Sequence, residues 1–236
     1  FLPSPPLYRP LRDRLLARGA AAVVVANVWF PDWLLALGRG QRPAVGQARE
    51  AFERACDLAE AHSGGAPLLV VGHSMGGIGA RLLTSPVPFA GLELAGAERV
   101  GAIVTLGTPH GLAIGTVHAD RAAAFAASTV PGAYWAPRIG YLAVASRALP
   151  GDRSGTSRER TRWARYALVS APPHPERIDG DGVVPLAMAL LAGAPPLHRI
   201  RLGDVVFERP RRQLQTRENP TFLRLRHELH GLIGKH

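Results

Sequence analysis

The stretch LLVVGHSMGGIGARLL, from Leu68 to Leu83, restricts the fold more than any other part of the chain. Its first four residues are an apolar run of the kind found in a strand buried on both faces. The run breaks on Gly72, shows one hydroxyl at Ser74, and resumes with Ile78, Leu82 and Leu83 at helical spacing. Strand, tight turn and helix in that order form half of a βαβ unit, which implies a parallel sheet with helices on its faces. A plain strand-to-helix turn needs a glycine or two, but it does not need Gly72-His73-Ser74-Met75-Gly76. Small residues on both sides of a serine permit backbone dihedrals that side chains would block sterically. The glycines make room for the serine to be presented rather than packed.

The rest of the chain alternates between helical and strand-like periodicity, which predicts an α/β domain. Helices are expected over Pro5 to Arg18, Val45 to Ala61, Gly76 to Leu83, Val184 to Leu191 and Pro220 to Ile233. Strands are expected over Ala21 to Val28, Leu68 to Val71, Val100 to Leu106, Tyr141 to Ser146 and Leu197 to Phe207, with Tyr166 to Ser170 as a further candidate. Trp29 to Pro43 reads as a loop. One domain over residues 1–236 is expected, and the looser stretch of about residues 112–165 is where a lid or cap could lie over the sheet.

Composition narrows the partners. Formal net charge is +10, which would suit a polyanion or a membrane surface, although an arginine-rich solvated surface is the simpler reading. There is no run of five basic residues and no interleaving of aromatics with arginines, so nucleic acid is not an expected partner. Cys56, the single cysteine, excludes an intrachain disulfide and a cysteine-built metal site, and it reads as a small core residue. No stretch reaches the roughly 18 apolar residues of a membrane span. The first residue is Phe1, so the chain reads as a fragment or processed product. Compartment is open, with a soluble plastid or cytoplasmic location as the expectation. Oligomeric state is open too.

Three motifs in order carry a family resemblance. Gly72 to Gly77 resembles the nucleophile elbow of α/β-hydrolase-fold lipases and esterases. Leu106-Gly107-Thr108-Pro109-His110-Gly111 is similar to a strand-end segment of lipase-like members, and Gly180-Asp181-Gly182-Val183-Val184-Pro185 to their acid-bearing loop. The likeness runs from about Pro5 to about Leu202 and is most specific to plant and algal α/β-hydrolase proteins. It implies an α/β-hydrolase fold, a mainly parallel sheet flanked by helices. Ser74 would be the nucleophile, Asp181 the acid (Asp179 the alternative), and the Met75 amide an oxyanion donor at a helix N-terminus.

The chain departs from the family pattern at both ends. The loop expected to hold the base, Glu208 to Pro220, has no histidine, and Phe207 stands where the base would align. Of nine histidines, His230, followed by Gly231-Leu232-Ile233, is the candidate base, with His227 second. His73 is expected beside the nucleophile, His110 in the floor of the site and His198 at the far end of the sheet. His62, His118 and His174 read as solvated. At the front, the chain begins just after the strand-end turn that supplies the second oxyanion amide. That amide would come from Phe1 or Leu2, and the supporting N-terminal strand would be missing.

These readings converge on a serine hydrolase of carboxylic esters, probing an acyl-enzyme route with no metal or organic cofactor implied. Its partner would be a small ester or lipid, with an anionic membrane surface as a further candidate. Leu34, Leu35 and Leu37 beside Trp33, and Ala122 to Ala127, are candidates for an acyl pocket or for core. Two alternatives remain: a hydrolase-fold protein without efficient turnover that binds a lipid or partner, and an acyltransferase using the same serine.

Overall fold

The computed structural model describes residues 5–29, 31–32, 41–111, 120–191, 197–202 and 205–210. Helix α1 (Arg9–Ala17) follows a short 3-10 turn, and α2 (Arg42–Ser63) is closed by Gly64 in the left-handed conformation. Next come β1 (Leu68–His73), α3 (Met75–Leu82) and β2 (Val100–Leu106). They are followed by α4 (Asp120–Thr129), β3 (Gly140–Ser146) and the two-residue β4 (Gly151–Asp152). The remaining elements are α5 (Ser157–Val169), β5 (Arg177–Ile178), α6 (Leu186–Ala189), β6 (Leu197–Leu202) and β7 (Val205–Pro210).

The chain is a mixed α/β structure whose main sheet has the order β1-β2-β3-β7-β6. The first three strands are parallel, joined by crossovers through α3 and α4 as the alternating periodicity predicts. The last two form an antiparallel hairpin, and β7 pairs antiparallel with β3. Among the described residues two of its four pairings are parallel and two antiparallel, so the described sheet is mixed and not mainly parallel. The hairpin comes from the single strand expected over Leu197 to Phe207, which divides at Leu202. Helices α2, α3 and α6 pack against the parallel part.

Burial follows position in the sheet. Central β2 is buried at every position but its last, whereas β1, whose other edge has no partner among the described residues, is only half-buried. Ile78 and Leu82 of α3 pack with Val45, Phe89, Ala122, Ala126 and Val130 in the largest apolar cluster. Ala122, Ala123 and Ala126 are thus core, whereas Ala127 is exposed; Trp33 to Leu37 lie outside the described residues.

Two expected strands and one expected helix take other forms. Ala21 to Val28 runs without regular structure, because a strand needs a neighbour for its backbone N–H and C=O groups and none of the described segments pairs with it. Tyr166 to Ser170 is the end of a helix. Thr156 starts that helix through a capping box with Glu159, a signal the polar composition of the region obscured. Val184 to Leu191 keeps only the short α6. Cys56 is half-buried on α2 rather than in the core, and burial raises its thiol pKa. Within 112–165, β3 belongs to the main sheet and α4 packs on α3. Among the described residues no helix is long and apolar enough to cross a membrane.

Candidate active site

Ser74 stands between the last residue of β1 and the first of α3, with φ 52° and ψ −132°. A side chain at positive φ is strained, and strain of this kind persists only where the surroundings hold it. Here a close approach of backbone holds it: a Cβ at Gly72 would lie 2.5 Å from the Gly77 Cα, so strand and helix touch with no room for a methyl group. Gly77 in turn lies against the fully buried Thr108. The Ser74 amide donates to Leu106 O at 2.9 Å and the Gly107 amide to Val144 O at 2.8 Å. Those bonds place the ends of all three parallel strands on one rim. The Ser74 hydroxyl itself has no hydrogen-bond partner among the described residues and is half-exposed.

Asp181 reaches the same rim. A Cβ at Gly107, which has φ 53°, would stand 3.0 Å from Asp181 Oδ2, so glycine is what allows the carboxylate to approach. Its Oδ1 accepts from the amides of Val183 (2.8 Å) and Val184 (2.7 Å), which fixes the carboxylate plane. Oδ2 makes no hydrogen bond among the described residues. Asp179 differs: Arg147 donates to its Oδ2 at 3.0 Å, and Arg177 lies 3.6 Å from its Oδ1. Both oxygens of Asp179 are committed, and only Asp181 has one to offer.

The acid loop is held by a residue that sequence reasoning missed. Tyr166 of α5 is fully buried; its hydroxyl donates to Leu149 O at 2.6 Å and accepts from the Gly182 amide at 2.6 Å. Burial, the largest influence, raises its pKa. The Leu186 amide donates to Asp179 O and the His110 amide to Met188 O, both at 2.8 Å, tying the acid loop and α6 to the β2 end.

Two histidines lie near the rim. His73 Nδ1 and the Tyr8 hydroxyl are hydrogen-bonded at 3.0 Å. Burial lowers the His73 pKa, and the Asp181 charge acts in the opposite direction. His110 is buried. Arg81 Nη1 donates to its Nδ1 at 3.2 Å, so its proton is on Nε2, which donates to Thr105 Oγ1 at 3.0 Å. Burial first and the Arg81 charge second lower its pKa to about 3. A neutral imidazole with both nitrogens engaged is not free to serve Ser74.

Arg81, from the elbow helix, is itself buried and is the other residue the sequence concealed. It is the one cation in an otherwise apolar stretch, IGARLL. Its Nη2 donates to Val130 O at 2.5 Å, just past the C-terminal end of α4, and to Ala126 O at 3.3 Å, which also accepts from the Val130 amide.

Met75 opens α3 next to Ser74, and its side chain packs against the largest apolar cluster. Phe1, Leu2, His118, His227 and His230 lie outside the described residues. Phe207 lies within β7, paired with Val144 and Ile200, and so occupies a strand and not the loop position where a base would align. His198 pairs with Arg209, beyond the Val144–Phe207 rung and toward the start of β3, at the far end from Ser74. No protein-family model, curated protein or solved structure gives a significant match to this chain.

Proposed function

We propose that the chain is a serine hydrolase of carboxylic esters, with lipid acyl esters as the substrate class, on an α/β-hydrolase fold. The observation that carries this is the strained Ser74 at a parallel strand end, with an unengaged Asp181 oxygen on the same rim. A tight turn made only for chain reversal gains nothing from a non-glycine residue at φ 52°.

In the proposed reaction Ser74 Oγ attacks the ester carbonyl while an imidazole, assigned to His230 with His227 as the alternative, takes its proton. Asp181 Oδ2 orients that imidazole and stabilises its charged form. The negative oxygen of the tetrahedral species is met by the Met75 amide at the N-terminus of α3. Collapse expels the alcohol, which takes the proton from the imidazolium and leaves an acyl-Ser74. Water, deprotonated by the same imidazole, then releases the acid and restores Ser74.

A fluorophosphonate probe should label the native chain and fail to label Ser74→Ala; equal labelling of both would end the assignment. The absence of a histidine from the sequence Glu208 to Pro220 motivates one alternative, a hydrolase-fold protein that binds its lipid or partner without efficient turnover. Hydrolysis of p-nitrophenyl esters by the native chain and by His230→Ala and His227→Ala separates the two.

A further inference from the structure

Helix α5 holds the acid loop with Tyr166, but a different face of it has no role in the proposed ester chemistry. Arg158, Thr161, Arg162 and Arg165 recur at i, i+3, i+4 and i+7 and so share that face. With Ser157 they line an open groove of about 360 Å³. The other arginines of this region are engaged. Arg147 and Arg177 reach Asp179, Arg153 reaches Glu176 and lies over Trp163, and Arg160 donates to Gly155 O. By contrast, no described carboxylate lies within ion-pair distance of Arg158, Arg162 or Arg165. Glu159, the nearest acid on the helix, has its carboxylate turned back onto the amide and hydroxyl of Thr156. Arg162 Nε is buried and lacks a hydrogen-bond partner among the described residues.

Like charges at these helical spacings repel one another, and an anion held between them would offset that repulsion. An unpartnered buried N–H is itself a cost. Guanidinium forks match the oxygens of a phosphate in pairs, and the Ser157 hydroxyl supplies a further donor, the Thr161 hydroxyl being given to Ser157 O. We propose that this groove is a binding site for a phosphate group, carried either by a soluble phosphoester or by a lipid headgroup. Leu168, one turn beyond Arg165, is 66% exposed and would lie against whatever continues from the phosphate. The site is independent of Ser74 and does not depend on the ester reading.

The full chain is titrated calorimetrically with inorganic pyrophosphate, and sedimented with phosphatidylcholine vesicles with and without phosphatidic acid, at about physiological ionic strength so that diffuse attraction is screened. Saturable binding is expected in at least one arm. Pyrophosphate binding points to a soluble phosphoester, and binding confined to phosphatidic acid vesicles points to a headgroup. Arg162→Gln should weaken binding about tenfold, and Arg158→Gln, Arg162→Gln and Arg165→Gln together should abolish it. Arg9→Gln, Arg12→Gln and Arg14→Gln, which remove the same charge from α1, should leave it intact. No binding in either arm, or equal loss in both triple variants, overturns the proposal. Should the groove triple variant unfold, Arg162→Lys decides: it keeps the charge but loses the fork and Nε, and native-strength binding by it would equally overturn the site.

Discussion

Buried His110 gives the fold a dependence on pH that can be worked out from its surroundings. Burial, with the Arg81 guanidinium beside it, holds its pKa down to about 3. The same imidazole in an unfolded chain titrates near 6.5. Between those values the unfolded chain takes up a proton that the folded chain refuses, so acidification favours unfolding. The contribution is fully present above pH 6.5 and drains away as pH falls toward 3. By about pH 5 the loss amounts to about 2 kcal/mol, a substantial part of the stability of an ordinary domain. Replacing the ring with an amide isolates the effect. In His110→Asn the side-chain oxygen can accept from Arg81 as Nδ1 does, yet nothing titrates. Urea denaturation of both chains at about pH 7.5 and pH 5 gives four free energies, and carboxylates common to both cancel in the comparison. The native chain should lose about 2 kcal/mol more than the variant between the two conditions. Equal losses would show that His110 is not the buried neutral group the packing describes.

Two further outcomes test the geometry of the proposed site. Ser74→Gly should be more stable than Ser74→Ala by about 1 kcal/mol, because glycine tolerates the φ of 52° that alanine, like serine, does not; thermal melts showing alanine the more stable would mean the turn is unstrained. Tyr166→Phe leaves the Gly182 amide and Leu149 carbonyl without their partner and should cost about 2 kcal/mol in urea melts, whereas a loss too small to measure would mean that the hydroxyl does not hold the acid loop.

What was legible in the residues is what depends on near neighbours. The β1–turn–α3 unit follows from an apolar run, glycines and helical spacing within a few residues of one another, and β2, β3 and α2 follow from the same local periodicities. The Thr156–Glu159 capping box was equally local, but the surrounding arginines drew attention from it, and an aromatic and β-branched segment that reads as a strand became the end of α5. Ala21 to Val28 has the composition of a strand and no ladder, since composition cannot supply a neighbour.

The site divides in the same way. Ser74 could be picked out because the glycines that strain it sit beside it in the chain. The choice of Asp181 over Asp179 could not be made from two aspartates in one turn; it rests on Arg147 and Arg177, which engage Asp179, and on Gly107, which lets Asp181 reach the rim. Likewise, nothing local says that Arg81 and His110 share a buried pocket at the end of α4. Residue order by itself determined the local elements and the exposed alcohol, because dihedral preference and periodicity act over a few residues. Only the folded arrangement decided which carboxylate is free, which imidazole is withdrawn and which strands pair. Charge neutralisation, desolvation and backbone pairing depend on groups far apart in the chain and close together in space.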